Sequence, residues 1–362
     1  MTSRRTVVRR APGKLFVAGE YAVVEPGHQA ILVAVDRYVT VTVSAGSVPG
    51  VVVASELTTA PVHGRWLDGR LTGADGLPHV VSAVETVAGL LTGRGLPVPP
   101  LDLTIASTLH EDGRKIGLGS SGAVVVATVD AVAAHCGLCL TREERYRLAM
   151  LATARVEPKG SGGDLAAGTW GGWIAYRAPD REQVRELADR RAVEEALSVP
   201  WPGFSVRGLP SPRGLSLQVG WTGTPASTPA LVGGLHRRSW RGTPSHRRFL
   251  DTTGAFVTAA VTALDTGDDD ALLQQVRRAR HELARLDDEV GLGIFTPRLT
   301  ALSDAAEAVG GAAKPSGAGG GDCGIALLDA AAPDAIAHVR DRWAAAGVRP
   351  LPLSPASEGN EE

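Results

Sequence analysis

Alternating apolar and polar positions rich in β-branched residues dominate the first part of the chain. "KLFVAGEYAVV" (14–24) and "QAILVAVDRYVTVTVSA" (29–45) read as strands joined by the turn "EPGH". "GVVVASEL" (50–57) continues the β region, and "GRWLDGRLTG" (64–73) has the spacing of a hairpin. Helical period follows in "PHVVSAVETVAGLLTGRG" (78–95), which closes on a glycine stop. "PLDLTIAST" (100–108) is again a strand, and Ala123 to Cys136, mostly Ala and Val, reads as a buried helix. "TREERYRLAMLATARVE" (141–157) opens with a Thr-x-x-Glu capping box and continues as an amphipathic helix. "GGWIAYRA" (171–178) is a strand, and "DREQVRELADRRAVEEALSV" (180–199) a charged, surface-like helix or excursion.

From about residue 200 the texture changes. "WPGFSVRGLPSPRG" (201–214) is rich in Pro and Gly and reads as a connector. A strand, "LSLQVGWTG" (215–223), leads to three helices expected at 246–266, 269–289 and 296–309. The strand "CGIALLD" (323–329), the helix "PDAIAHVRDRWAAAG" (333–347) and the strand "VRPLPLS" (348–354) complete the pattern, and a polar tail is expected to be disordered. The expectation is an α+β chain of two domains, 1–200 and 201–353, with a tail at 354–362 and a ligand in the cleft between the domains.

Composition narrows the class. The 362 residues are 44% hydrophobic and 21% charged, with a net charge of −2. That is a soluble globular profile without the basic block of a nucleic-acid binder, and aromatic residues are only 4%, too few for a base-stacking surface. The basic start "MTSRRTVVRR" is not followed by the apolar core of a signal peptide, and no apolar run reaches the ~18 residues of a membrane helix, so a cytoplasmic protein is expected. Cys136, Cys139 and Cys323 are too few for a disulfide scaffold. Cys136 and Cys139 form a C-x-x-C without a second ligand pair, which reads as plain buried thiols.

Lysine is the informative residue. Only Lys14, Lys115, Lys159 and Lys314 occur, against 33 arginines, and each lies in or beside a glycine-rich segment. A compact ammonium is a frequent partner of phosphate. The four segments are "APGKLFVAGEY" (11–21), "RKIGLGSSGA" (114–123), "EPKGSGGDLAAGTWGG" (157–172) and "KPSGAGGGDCG" (314–324). In the second, Gly117, Gly119 and Gly122 lead into the apolar helix, whose first turn offers unpaired N–H donors and a partial positive charge. An anion, phosphate first, belongs there. The loop is neither a P-loop nor a dinucleotide fingerprint. In the third segment Asp164 is the only carboxylate of "KGSGGDLAAG" and could be a helix cap or a group facing a ligand.

The order and content of these motifs resemble the GHMP kinase superfamily over nearly the whole chain. "KLFVAGEYAVV", "KIGLGSSGAVVVA", "SGGDLAAGTWGGWIAY", "GWTGTPAST" and "SGAGGGDCGIAL" look most like its bacterial phosphomevalonate kinases. The resemblance implies an N-terminal domain with a left-handed β-α-β unit, a ferredoxin-like C-terminal domain and transfer of the ATP γ-phosphate to 5-phosphomevalonate. It implies that Gly117, Leu118, Gly119, Ser120, Ser121 and Gly122 wrap ATP, with the Ser121 hydroxyl on Mg²⁺ or the β/γ-phosphates and Lys115 neutralising phosphate charge. Asp164 would face the acceptor with Lys14 beside it; Lys159 or Arg155 would hold the phosphate already present; and Glu20, Tyr21, Ser316, Gly317 and Gly319 would line the acceptor side. "GTPAST" (223–228) would add hydroxyls, while Asp322 and Cys323 are read as structural. Mevalonate kinases carry a Mg²⁺-binding glutamate eleven residues before the aspartate, where this chain has Thr153, so Mg²⁺ would rest on Ser121, ATP oxygens and waters. The alternatives are a mevalonate kinase, a diphosphomevalonate decarboxylase, which the glycine motifs fit less well, and a non-catalytic sensor, which would be expected to lose Asp164 or Lys14. A monomer or homodimer without nucleic-acid or membrane partners is expected.

Overall fold

A computed structural model describes residues 6–56, 58–111, 113–226 and 240–356. In chain order the first sheet and its helices comprise β1 (Val7–Ala18), β2 (Gln29–Ala45), β3 (Val51–Ser55), β4 (Val62–Leu67), β5 (Arg70–Thr72), α1 (Pro78–Gly93) and β6 (Leu101–Ser107). A two-stranded ribbon, β7 (His110–Glu111) and β8 (Arg114–Lys115), leads to α2 (Ser120–His135), α3 (Arg142–Val156) and α4 (Gly163–Trp170). Then come β9 (Trp173–Arg177), α5 (Arg181–Arg190), α6 (Val193–Ser198) and β10 (Ser205–Leu209). The second sheet is built from β11 (Leu215–Trp221), β12 (Ala312–Pro315), β13 (Cys323–Asp329) and β14 (Arg349–Leu351), with α7 (Pro244–Thr266), α8 (Asp269–Val290), α9 (Pro297–Glu307) and α10 (Pro333–Ala345).

The first sheet runs β10-β9-β2-β6-β3-β4-β5, with β1 also paired to β2. β3 and β6 are parallel and α1 lies between them in the chain, so they form the expected β-α-β unit. The second sheet has the order β12-β13-β11-β14 with antiparallel neighbours. With its helices it has the alternation of a ferredoxin-like domain. One apolar cluster runs through both domains, from Leu15, Ile31 and Leu32 to Val219, Phe256 and Ile325.

Several expectations need correction. The strand from Lys14 ends at Ala18; a 3₁₀ turn covers Ala22–Val24. At Gly19 φ is +95°, and a Cβ there would come within 2.6 Å of the Gln29 carbonyl oxygen, so the chain turns where a side chain would block it. The connector begins later than expected, because Ser205–Leu209 pairs antiparallel with β9 in the first sheet. The charged stretch 180–199 is two helices, α5 and α6. The tail is partly ordered: the Ser354 carbonyl accepts from the Asp36 N–H, and Ala356 donates to the Ala34 carbonyl and accepts from the Gly172 N–H. Residues 357–362 lie outside the described residues. Among the described residues no helix is long and apolar enough to cross a membrane. Cys139 is exposed and Cys136 half-buried, so only Cys323 of the three thiols is fully buried.

Candidate active site

A cavity of about 420 Å³ lies where the four glycine-rich segments meet. Two helices begin at its wall. The N-cap of α2 is Gly119 and that of α4 is Gly162; both are left-handed, at φ 75° and 73°, and neither offers a side-chain cap. By contrast α3 starts at a complete capping box, Thr141 with Glu144. At the start of α4 the Ser161 hydroxyl accepts from the Gly163 N–H at 3.3 Å, whereas the first turn of α2 opens on the cavity without a side-chain cap, a setting that suits an anion.

Strand β1 delivers Lys14. Register shifts at Pro12/Gly13 and Phe16/Ala18 interrupt its ladder with β2 on either side of the lysine. The Lys14 N–H donates to the Leu118 carbonyl at 2.9 Å and its Nζ to the Gly117 carbonyl at 3.3 Å. This ties the first motif to the second. Asp164 stands at the second position of α4, and its Oδ1 accepts from the Leu165 N–H at 3.0 Å. A Cβ on Gly119 would meet both Asp164 and Lys14 at 3.1 Å, and one on Gly122 would run into the Asp164 carboxylate. The glycines of the loop are therefore the space in which these two side chains sit. Asp164 is not the cap of α4.

Lys14, Lys115, Lys159, Asp164, Gly117, Gly119, Ser120, Ser121, Gly122, Glu20, Tyr21 and Gly317 all line the cavity. Leu118 does not: its side chain is buried in the core, and its carbonyl is the part that anchors Lys14. Ser316 is buried, accepting from the Phe16 N–H at 2.8 Å and donating to the Phe16 carbonyl at 3.0 Å, so its hydroxyl joins the domains. Gly319 packs against Ile294 and is not part of the lining. Arg155 turns away to Thr86 and the Ala188 carbonyl. Glu20 is paired with Lys314, which is fully buried and also donates to the Pro315 carbonyl at 2.7 Å. Burial pushes the Lys314 ammonium below the usual lysine range, while Glu20 opposes the shift. Tyr21 has φ 62° and donates to the Ala318 carbonyl at 2.5 Å; burial raises its phenol above the ordinary range. Pro225 and Ala226 of "GTPAST" line the cavity, and Ser227 and Thr228 lie outside the described residues.

Four further groups line the cavity, of which Asp322 was expected to be structural. His79, at the start of α1, has a buried Nε2 with no protein partner among the described residues. Its pKa is lowered, chiefly by burial, with Asp164 opposing and Lys115 reinforcing. Glu157 is raised, first by burial and then by the charge of Asp164. Ser161 and Asp322 complete the set. Asp322 has φ 51°, accepts from the Ala226 N–H at 3.0 Å and packs on Gly117; burial pushes its carboxyl up against the pull of Ala226, Lys14 and Lys115. His79 has no motif around it, so nothing local marks it; Glu157 opens the third glycine-rich segment. Asp322, at the end of a glycine run, carried the same kind of signal as Asp164.

Residues 79–172 match the family of GHMP kinases N terminal domains, and residues 260–345 that of GHMP kinases C terminal domains. The chain is 66% identical to the phosphomevalonate kinase of Streptomyces sp. (strain CL190), with 99% of each chain covered. Among solved structures it resembles the Lin0012 protein from Listeria innocua, with a TM-score of 0.91, 32% identity, and 99% of this chain and 100% of that one covered. It also resembles the Streptococcus pneumoniae phosphomevalonate kinase in complex with phosphomevalonate and AMPPNP, with a TM-score of 0.86, 28% identity, and 96% and 99% covered. Fold, motifs and full-length identity agree, and the chain belongs to the GHMP kinases, in their phosphomevalonate kinase family.

Proposed function

We propose that this enzyme transfers the ATP γ-phosphate to (R)-5-phosphomevalonate, giving the 5-diphosphate and ADP in the mevalonate route to isoprenoids. The observation that carries the reading is the convergence of Asp164 and Lys14 on the open N-terminus of α2, in one cavity with Lys115 and Lys159. Three lysines, Lys14, Lys115 and Lys159, come from three different segments to one cavity, which suits two phosphorylated substrates whose mutual repulsion must be offset. The first-turn N–H groups of α2, with Ser120, Ser121 and Lys115, serve the ATP phosphates. An acceptor oxygen forms the new bond to the γ-phosphorus as the bond to the β-phosphate oxygen breaks and ADP leaves. A phosphate monoester, with second pKa near ~6, is already mostly ionised at neutral pH, so Asp164 orients the acceptor more than it deprotonates it.

Among the described residues no three His, Cys, Asp or Glu side chains gather into a metal site. The hard oxygen donors that line the cavity, Ser121, Asp164 and Glu157, suit Mg²⁺ bound mainly through ATP oxygens and water, with Ser121 as its protein contact. When bound there, Mg²⁺ would neutralise charge on the transferring group. Thr153, at the position of the mevalonate kinase glutamate, also lines the cavity and brings no charge. Substrates that are both polyanions fit a cytoplasmic enzyme.

The test is ADP release with Mg·ATP and either (R)-5-phosphomevalonate or mevalonate, beside an Asp164→Asn control. Turnover is expected with phosphomevalonate alone, falling on the order of 10²-fold in the variant. Turnover with mevalonate would reassign the acceptor, and turnover with neither, despite ATP binding, would favour the sensor.

A further inference from the structure

The cavity wall at 157–162 has no regular structure, yet it carries Lys159 and Ser161. Two side chains hold it from behind by its carbonyl groups. Tyr176, itself bonded to the buried Tyr146 at 2.8 Å, donates to the Ser161 carbonyl at 2.6 Å. Arg181 donates through Nη1 to the Lys159 carbonyl at 2.6 Å. The same guanidinium donates through Nη2 to the Val24 carbonyl at 2.9 Å, in the 3₁₀ turn that follows the first motif. Val24 and Lys159 both line the cavity; Arg181 does not.

Arg181 opens α5, whose N-cap Asp180 accepts from the N–H groups of Glu182 and Gln183, so its backbone is well fixed. A planar guanidinium presents donors in a rigid fork and can span two carbonyls at set angles. A lysine carries the same charge on a single nitrogen and cannot hold both in this geometry. We propose that Arg181 is a positioning residue: by bridging Val24 and Lys159 it fixes the wall that meets the acceptor's own phosphate, and so sets acceptor affinity. This rests on the phosphomevalonate kinase reading. The nucleotide end, Gly117 to Gly122, makes no contact with the guanidinium, and its function is expected to be independent of Arg181.

The experiment uses the full-length chain, as wild type, Arg181→Met and Arg181→Lys. Steady-state kinetics with Mg·ATP and (R)-5-phosphomevalonate are combined with amide hydrogen exchange over 157–162. Both variants are expected to raise the acceptor KM about tenfold, to leave kcat and the ATP KM within about twofold, and to exchange faster at the loop. The lysine variant keeps the cation, so the comparison stands if the methionine variant fails to fold. An unchanged acceptor KM, full function in Arg181→Lys, a joint rise of both KM values, or unaltered loop exchange would each overturn the proposal. A wild type inert toward phosphomevalonate would overturn the functional reading and the acceptor role with it. The exchange comparison would still decide whether Arg181 tethers the loop.

Discussion

At the scale of single residues, the site is organised by what its glycines leave out. Gly122 lies inside α2 in ordinary helical geometry, so an alanine there costs nothing in backbone strain and gains helix propensity of roughly 1 kcal/mol. Its methyl group would, however, occupy the space of the Asp164 carboxylate. Gly122→Ala is therefore expected to lower kcat on the order of 10²-fold and, because the Asp164 Cβ itself would stand 2.8 Å from the new methyl, to lower the thermal midpoint as well. Kinetics and thermal unfolding of the same preparation check this; unimpaired turnover would mean that Asp164 is free to move without consequence. Asp164, Lys14 and the loop serines were legible because each stands in a motif of restricted composition. Lys314 stands in one too, yet the fold turns it into the core to meet Glu20. Ser316 is likewise spent on Phe16.

At the scale of elements, helix starts divide into two kinds. α3 supplies its own cap: Thr141 accepts from the Glu144 N–H at 3.2 Å, and the Glu144 carboxylate accepts from the Thr141 N–H at 2.7 Å. The N-caps of α2 and α4 are glycines, which supply no side-chain acceptor. Thr141→Ala should cost about 1 kcal/mol of stability, read as a lower urea midpoint, with both KM values unchanged because the cap is remote from the cavity. A wild-type midpoint would remove the capping box from the account of α3. Helix positions were legible from periodicity and capping, which act over a few residues. The strand β10 was not, since the Pro- and Gly-rich stretch around it resembles a connector and its pairing partner β9 lies far back in the chain.

At the scale of the molecule, the cleft is held by bonds that cross from one sheet to the other. Ser316 joins Phe16, Tyr21 joins Ala318, the Cys323 thiol donates to the Ile116 carbonyl, and Lys314 pairs with Glu20. The last pair is almost wholly buried, at 0% and 3% side-chain exposure, so removing either partner strands a charge. Glu20→Gln and Lys314→Met are each expected to destabilise the protein by about 3–5 kcal/mol, and the double variant by clearly less than the sum. Chemical denaturation of the four proteins measures the coupling, and strict additivity would show that the two side chains do not depend on each other.

The sequence by itself determined most of the helices and strands, the glycine-rich loops and the motif side chains Lys14, Ser121 and Asp164, because caps, periodicity and turn chemistry are settled within a few neighbouring residues. Tertiary structure alone decided which lysines face the cleft and which enters the core, where the chain passes between sheets, and that Ser354 and Ala356 return to pair beside β2. Those outcomes depend on surfaces more than a hundred residues apart being buried against each other. Lys14 meets Gly117 only once the first domain has folded, and Glu20 meets Lys314 only after both domains have closed around the same core.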